Sequence, residues 1–275
     1  MLKNMTLFDC TLREIGYQTG WYFDNKFATD LYKFAHGKGI DYLELGFFHN
    51  MEADPNKGDF RYCSQKNDEI KELFEPIKNW TKLSSMLDIQ RPLSNLLPKE
   101  DSPIDTIRII TRSHETDFEI LSKKVEEIQE LGYELFINFT SAGYNSIEKN
   151  ISFAKFCKKM GVEVMYLADT ESVFTCDYIN NSMDAIKAEN VEVGMHLHNK
   201  NGTADMLLDT ALSKNCLYTD ATLLGLGGKW HDGNIPLEYI IKKFGINGGY
   251  ELTQLKTNLV QQLIKYHEHT TAILD

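Results

Sequence analysis

No two cysteines in this chain are spaced CxxC. The five present, Cys10, Cys63, Cys157, Cys176 and Cys216, are odd in number and widely scattered. That pattern argues against a disulfide framework or a thiolate zinc site. It points to a reducing, cytoplasmic setting in which the thiols serve as small buried hydrophobes. No apolar run reaches the roughly 18–20 residues needed to span a bilayer. The opening Met1-Leu2-Lys3-Asn4-Met5 leads into no long apolar stretch of the kind that directs secretion. Basic blocks are absent too, and the formal net charge is −11, so a phosphate backbone would be repelled rather than gathered. Nucleic acid and membrane are therefore not expected partners. No linker or low-complexity tract divides the 275 residues, which are 42% hydrophobic and 25% charged, an ordinary globular balance. One domain over 1–275, with a helical extension over 250–275, is the expected organisation.

What the chain has instead is alternation. Short apolar, β-branched runs fall at Thr6–Thr11, Tyr42–Phe47, Lys82–Leu87, Thr106–Thr111, Glu134–Thr140, Glu163–Ala168, Glu192–Leu197 and Thr219–Leu224. Between them lie stretches of helical periodicity, including Phe118–Leu131, Ser146–Met160, Asp177–Glu189 and Ala204–Lys214. Gly39, Gly132 and Gly161 follow three of the helices, where a helix stop is expected. Eight strand–helix repeats predict a parallel α/β sheet, and at this length the simplest closure is a TIM (β/α)₈ barrel. An open doubly wound sheet is the alternative, but the GxGxxG that usually follows its first strand is missing. Residues 50–66 and the Pro92, Pro98 and Pro103 segment read as loops, and Leu252–Leu274 reads as an extra C-terminal helix. His267 and His269 on that helix are two apart and do not share a face, so they read as solvated side chains.

A barrel of this kind carries its active site at the C-terminal ends of its strands. The polar residues predicted there include Arg13 and Glu14 after strand one, Glu44 in strand two and Asn138 in strand five. Asp169 and Thr170 close strand six, and His196 and His198 close strand seven. The two histidines are the strongest feature. Residues i and i+2 of a strand face the same way, so both imidazoles point together, with Leu197 opposite. Two converging imidazoles suit a divalent cation; the alternative is two separately hydrogen-bonded histidines. With one carboxylate, for which Glu14 is the candidate, they would leave coordination positions open, the mark of a catalytic metal. Arg13 offers a fixed cationic fork for an oxyanion or carboxylate.

Asp9-Cys10-Thr11-Leu12-Arg13-Glu14 resembles the strand-one signature of the DRE-TIM metallolyases, D-x-T-L-R-[DE]. Gly194-Met195-His196-Leu197-His198-Asn199 resembles their strand-seven metal motif, and Tyr42-Leu43-Glu44-Leu45-Gly46 fits their strand two. Asp220-Ala221-Thr222, Gly225-Leu226-Gly227 and Gly233-Asn234-Ile235-Pro236-Leu237-Glu238 resemble the strand-eight and glycine-loop region. Arg108-Ile109 with Ser113-His114-Glu115 is similar to the fourth unit of the aldolase branch. The pattern is most similar to proteins of the 4-hydroxy-2-oxovalerate aldolase type.

The resemblance implies a carbon–carbon lyase or aldolase acting on a 2-oxo acid with Mn²⁺ or Mg²⁺, or with Zn²⁺. Glu14, His196 and His198 would be ligands, with Asn234 a further one, and Arg13 would hold an enolate oxygen. Glu44, Asn138, Asp169 and Thr170 are the expected substrate contacts. Two departures stand out. Tyr17 lies near the place of the aldolase base histidine, and Lys229 replaces a glycine-loop cysteine of the lyase branch. A tyrosine with a pKa near 10 is a poor base at neutral pH. Tyr17 and the loop residue His231 are the proton-transfer candidates. The resemblance also makes a homodimer an expectation. The chain ends at Asp275, short of the C-terminal regions of the aldolases and synthases, so a dehydrogenase partner is not expected. Two alternatives stay open: an acyl-CoA condensation like that of 2-isopropylmalate or homocitrate synthase, and an altered barrel that only binds a ligand or partner.

Overall fold

The computed structural model describes residues 5–229 and 232–272, with side chains through residue 267. Eight parallel strands close into a barrel in sequence order: β1 (Thr6–Asp9), β2 (Tyr42–Phe47), β3 (Lys82–Asp88), β4 (Thr106–Arg112), β5 (Glu134–Thr140), β6 (Val164–Asp169), β7 (Glu192–Leu197) and β8 (Tyr218–Ala221). Helices α1 (Thr11–Thr19) and α2 (Asn25–Lys38) both follow β1, and α3 (Asn67–Phe74) follows β2. Strand β3 is followed only by a 3₁₀ turn (Lys99–Asp101), so the third unit departs from the expected repeat. Helices α4 (Phe118–Glu130), α5 (Ile147–Lys159), α6 (Cys176–Ala188), α7 (Ala204–Ser213) and α8 (Leu237–Lys243) follow β4 to β8 in turn, and α9 (Gly249–Ala272) packs back on α1 and α2. The barrel and its C-terminal helix are those expected from the alternation. No helix among the described residues is long and apolar enough to cross a membrane.

Strand alternation sorts every side chain to one of two cores. Leu7, Leu43, Leu45, Ile107, Ile109, Ile137, Leu167 and Leu197 face outward and pack against the helices. Inside the barrel, Phe8, Tyr42, Phe136, Val164 and Tyr166 form an aromatic plug, with Phe8 stacked on Tyr42 at 4.0 Å between ring centroids. Gly194 makes room for it, since a Cβ there would come 2.5 Å from the Tyr166 ring. Burying aromatic rings in this number seals one end of the barrel. The inward positions farther along the strands are polar and carry the site.

Five of the eight strands depart from the expected ranges, three by single residues, and two, β1 and β8, stop well short. Strand β1 stops at Asp9, because Asp9 Oδ1 accepts the Thr11 backbone N–H at 2.9 Å and α1 begins at once. Arg13 and Glu14 therefore sit on the first turn of a helix laid over the barrel mouth. Strand β8 ends at Ala221, and residues 223–225 form a tight turn instead of more strand.

Candidate metal centre and active site

At the heart of the barrel lies Arg108, completely buried, its guanidinium carbon 4.4 Å from the centroid of the Phe8 ring and 4.3 Å from that of Tyr166. A charge so placed must be paired. Arg108 donates to Glu44 Oε2 at 3.1 Å and to Asp220 Oδ2 at 2.7 Å. Glu44 Oε1 in turn accepts from Arg13 Nε at 2.7 Å. Asp220 Oδ2 also lies 2.8 Å from His196 Nδ1. One buried cation thus anchors both the arginine and a histidine of the strand-end cluster.

The donor atoms of Glu14, His196 and His198 lie within 4.8 Å of one another, all buried, the one such cluster of His, Cys, Asp and Glu among the described residues. Glu14 Oε1 is 3.1 Å from His196 Nε2, and the two Nε2 atoms are 3.3 Å apart. Glu14 also pairs with Arg13 Nη1, and its Oε2 accepts the Gly228 N–H at 2.8 Å. The close pass of the loop requires glycine at 227, where φ is +116° and a Cβ would come 2.6 Å from Glu14 Cβ.

Three observations test the fit of this trio to a divalent cation. Donors set at right angles around an ion with bonds of about 2.1 Å lie about 3 Å apart, close to the separations found. The Asp220 carboxylate 2.8 Å from His196 Nδ1 favours the proton on that nitrogen, which leaves the Nε2 lone pair to the cluster. Asp232 Oδ2, 3.4 Å from His198 Nδ1, does the same for His198. Two lone pairs facing each other at this distance repel unless a positive charge lies between them. Burial pushes the pKa of both imidazoles down, and each is lowered further by a cation or imidazole nearby, so a proton is a poor occupant. The donor set fits a metal ion.

The cluster opens into a cavity of about 580 Å³, lined among others by Arg13, Glu14, Tyr17, Asn138, His196 and His198. Arg13 Nη2 and Asn138 Oδ1 are buried there without partners. Thr170 also lines it, its hydroxyl accepting the Ser141 N–H at 2.8 Å. Asn234 is bridged to His198 through the backbone; its Nδ2 donates to Leu226 O at 3.3 Å and its Oδ1 is buried and unpartnered. Tyr17 is half-buried on the cavity wall beside Trp21 and Phe47, and burial pushes its phenol pKa up.

Two expected substrate contacts lie elsewhere. Glu44 does not line the cavity; both its oxygens are taken by arginines, so it positions Arg13 and Arg108. Asp169 stands at an outward position of β6. Its Oδ1 accepts from Val173 and Phe174 N–H groups at 2.7 and 3.0 Å, and burial raises its pKa to about 6. It shapes the loop after β6 from behind. His231 lies outside the described residues. Sequence reasoning missed His49, Asp54 and Arg61, which line the cavity from the irregular loop after β2.

A closed parallel barrel with a carboxylate–bis-imidazole cluster at its mouth defines a TIM barrel with a candidate metal centre. Residues 101–268 match the HMGL-like family model. The chain belongs to this family, and so to the DRE-TIM metallolyases. It is 24% identical over 264 residues to 4-hydroxy-2-oxovalerate aldolase from Carboxydothermus hydrogenoformans, covering 93% of this chain and 76% of the relative. Among solved structures, it resembles the N-terminal domain of a candidate aldolase from Bacteroides vulgatus, with a TM-score of 0.78, 25% identity, and coverage of 96% of this chain and 88% of that one. The fold is also that of hydroxymethylglutaryl-CoA lyase from Pseudomonas aeruginosa, with a TM-score of 0.73, 16% identity, and coverage of 96% and 95%.

Proposed function

We propose that the protein is a divalent-cation-dependent carbon–carbon lyase that splits a 4-hydroxy-2-oxo acid into a 2-oxo acid and an aldehyde or ketone. The observation that carries this reading is the Glu14–His196–His198 cluster standing beside an arginine with an unpartnered Nη2 in one cavity. The aldolase relatives support the substrate class. Glu14, His196 and His198 would hold the cation, with the Asn234 amide oxygen as a further ligand and Mn²⁺ or Mg²⁺ the fitting ions. Bound there, the cation would supply Lewis-acid polarisation of the 2-oxo carbonyl.

Arg13 receives the developing enolate oxygen on Nη2. Its Nε is already tied to Glu44, so the fork is fixed before substrate arrives. Preorganised charge of this sort acts where negative charge grows in the transition state. Asn138 and Thr170 meet the polar body of the substrate. Tyr17, with its raised pKa, holds its proton at neutral pH and serves as a donor toward the enolate carbon, with His231 as the second proton-transfer group. The free cysteines, four of them buried, support the cytoplasmic location that belongs to this reading.

Incubating the Mn²⁺-loaded protein with pyruvate in heavy water tests the proposal. Methyl-proton exchange that stops on chelation is the expected result. Absence of exchange, with thiol released from acetyl-CoA in the presence of a 2-oxo acid, would replace it with a condensation reaction.

A further inference from the structure

The loop between β2 and α3 brings a second polar group to the wall of the cavity that the candidate metal ligands line. His49 and Arg61 are held side by side: the His49 N–H donates to Arg61 O at 3.3 Å, and His49 pairs with Leu93 in a short antiparallel bridge. Asp54 joins their side chains. It accepts from Arg61 Nε at 2.7 Å, lies 2.7 Å from Arg61 Nη2, and sits 3.4 Å from His49 Nδ1. The guanidinium plane is pinned against Trp21 and Phe47, at 4.1 and 4.8 Å from their ring centroids. Two atoms are left over. His49 Nε2 and Arg61 Nη1 are buried and have no hydrogen-bond partner, and both residues line the same cavity as Arg13 and the metal ligands.

The chemistry of the leftover pair is specific. With its Nδ1 proton directed at Asp54, His49 presents Nε2 as an acceptor. Arg61 Nη1 presents a charged donor in the same cavity. Acceptor plus cationic donor is the complement of a hydroxyl that is losing its proton: the imidazole takes hydrogen while the guanidinium takes the growing charge on oxygen. Burial and the neighbouring Arg61 charge lower the His49 pKa to about 4, with Arg91 adding to this and Asp54 opposing it. The ring is therefore unprotonated at neutral pH and free to accept.

We propose that His49, oriented by Asp54, is the general base that removes the C4 hydroxyl proton of the substrate, and that Arg61 stabilises the resulting oxygen. The proposal rests on the lyase reading above and deepens it. The O–H bond breaks, with its proton going to His49 Nε2 and its electron pair forming the C4=O bond. The C3–C4 bond breaks, and its pair becomes the C2=C3 double bond of the enolate, whose oxygen lies toward Arg13. The imidazolium, destabilised by Arg61, passes its proton to solvent. The enolate takes a proton at C3 to leave the 2-oxo acid. No external oxidant or reductant is required.

The experiment uses the full chain loaded with Mn²⁺, with 4-hydroxy-2-oxovalerate as the cleavage probe and pyruvate in heavy water as the enolisation probe. His49→Gln is expected to lower cleavage by about 10²–10⁴-fold, with the ratio of cleavage to exchange falling at least about 100-fold. Added imidazole is expected to restore part of the rate to His49→Ala. Asp54→Asn reads the same dyad if neither His49 variant folds, and should lower kcat rather than raise KM. Cleavage by the His49 variants within about threefold of wild type, or cleavage and exchange falling together without imidazole rescue, overturns the base assignment and leaves the lyase reading intact. A wild-type protein that neither cleaves nor exchanges overturns both.

Discussion

Replacing Asp220 by Asn should weaken metal binding through an atom that never touches the metal. Asp220 Oδ2 lies 2.8 Å from His196 Nδ1, and its charge both fixes the tautomer and makes the imidazole a better donor. Asparagine keeps an oxygen in place but removes the charge. Outer partners of this kind are worth about 10–100-fold in metal affinity. At a free Mn²⁺ concentration 100 times the wild-type Kd, binding stabilises the wild-type fold by about 2.7 kcal/mol, falling to about 0.4–1.4 kcal/mol in the variant. At about 2–4 °C per kcal/mol, the metal-induced rise in Tm drops from about 5–11 °C to about 1–6 °C. The rise must be compared within each protein, because the metal-free variant starts lower. Arg108, wholly buried, would keep only Glu44 as an ionised counter-charge. Calorimetry with and without Mn²⁺ measures both quantities. A variant whose rise equals that of wild type refutes the link from Asp220 through His196 to the ion.

Three further outcomes are expected. Glu14→Ala and His198→Ala should each lose bound metal while remaining folded; full occupancy by elemental analysis in both would defeat the ligand assignment. Arg13→Ala should keep its metal and lose about 10²–10³-fold in turnover, as does removal of one oxyanion donor, and unchanged steady-state kinetics would take away its enolate role. Asp9 is fully buried, and that burial raises its pKa to about 6. Its contribution to stability is therefore complete below the unfolded value near 3.8 and is lost as pH rises through about 6. In the metal-free protein, Asp9→Asn should gain on wild type across that window, by at most about 3 kcal/mol. Parallel stability–pH curves for the two proteins would show that Asp9 does not titrate as inferred.

The barrel was readable because its strands repeat a pattern short enough to see by eye. Tyr42–Phe47, Glu134–Thr140 and Glu192–Leu197 match the structure at both ends. The same period of two set His196 and His198 on one face, and the structure places both with Glu14. Period alone does not say what lies behind a residue. Glu44 stands at an inward position and reads as a substrate contact, yet two arginines consume its oxygens. Asp169 is adjacent to the site in sequence but outward by parity, held by the backbone of its own loop. His49, Asp54 and Arg61 left no periodic trace, because a loop of bends and one tight turn brings them together. A histidine followed by an acid and an arginine in an irregular segment was the signal available, and only the unpartnered atoms give it meaning.

The embedding of Arg108 among aromatic rings divides what selection can alter. Glu44, Asp220, Arg13 and His196 all depend, directly or through one neighbour, on a guanidinium that no solvent reaches. Changing Glu44 or Asp220 leaves that guanidinium short of a counter-charge, so substitutions there cost stability as well as function. The loop that follows β2 hangs from the rim with no such ties to the hub. New specificities are most accessible there, at positions other than His49, Asp54 and Arg61, while the electrostatic keystone beneath stays put.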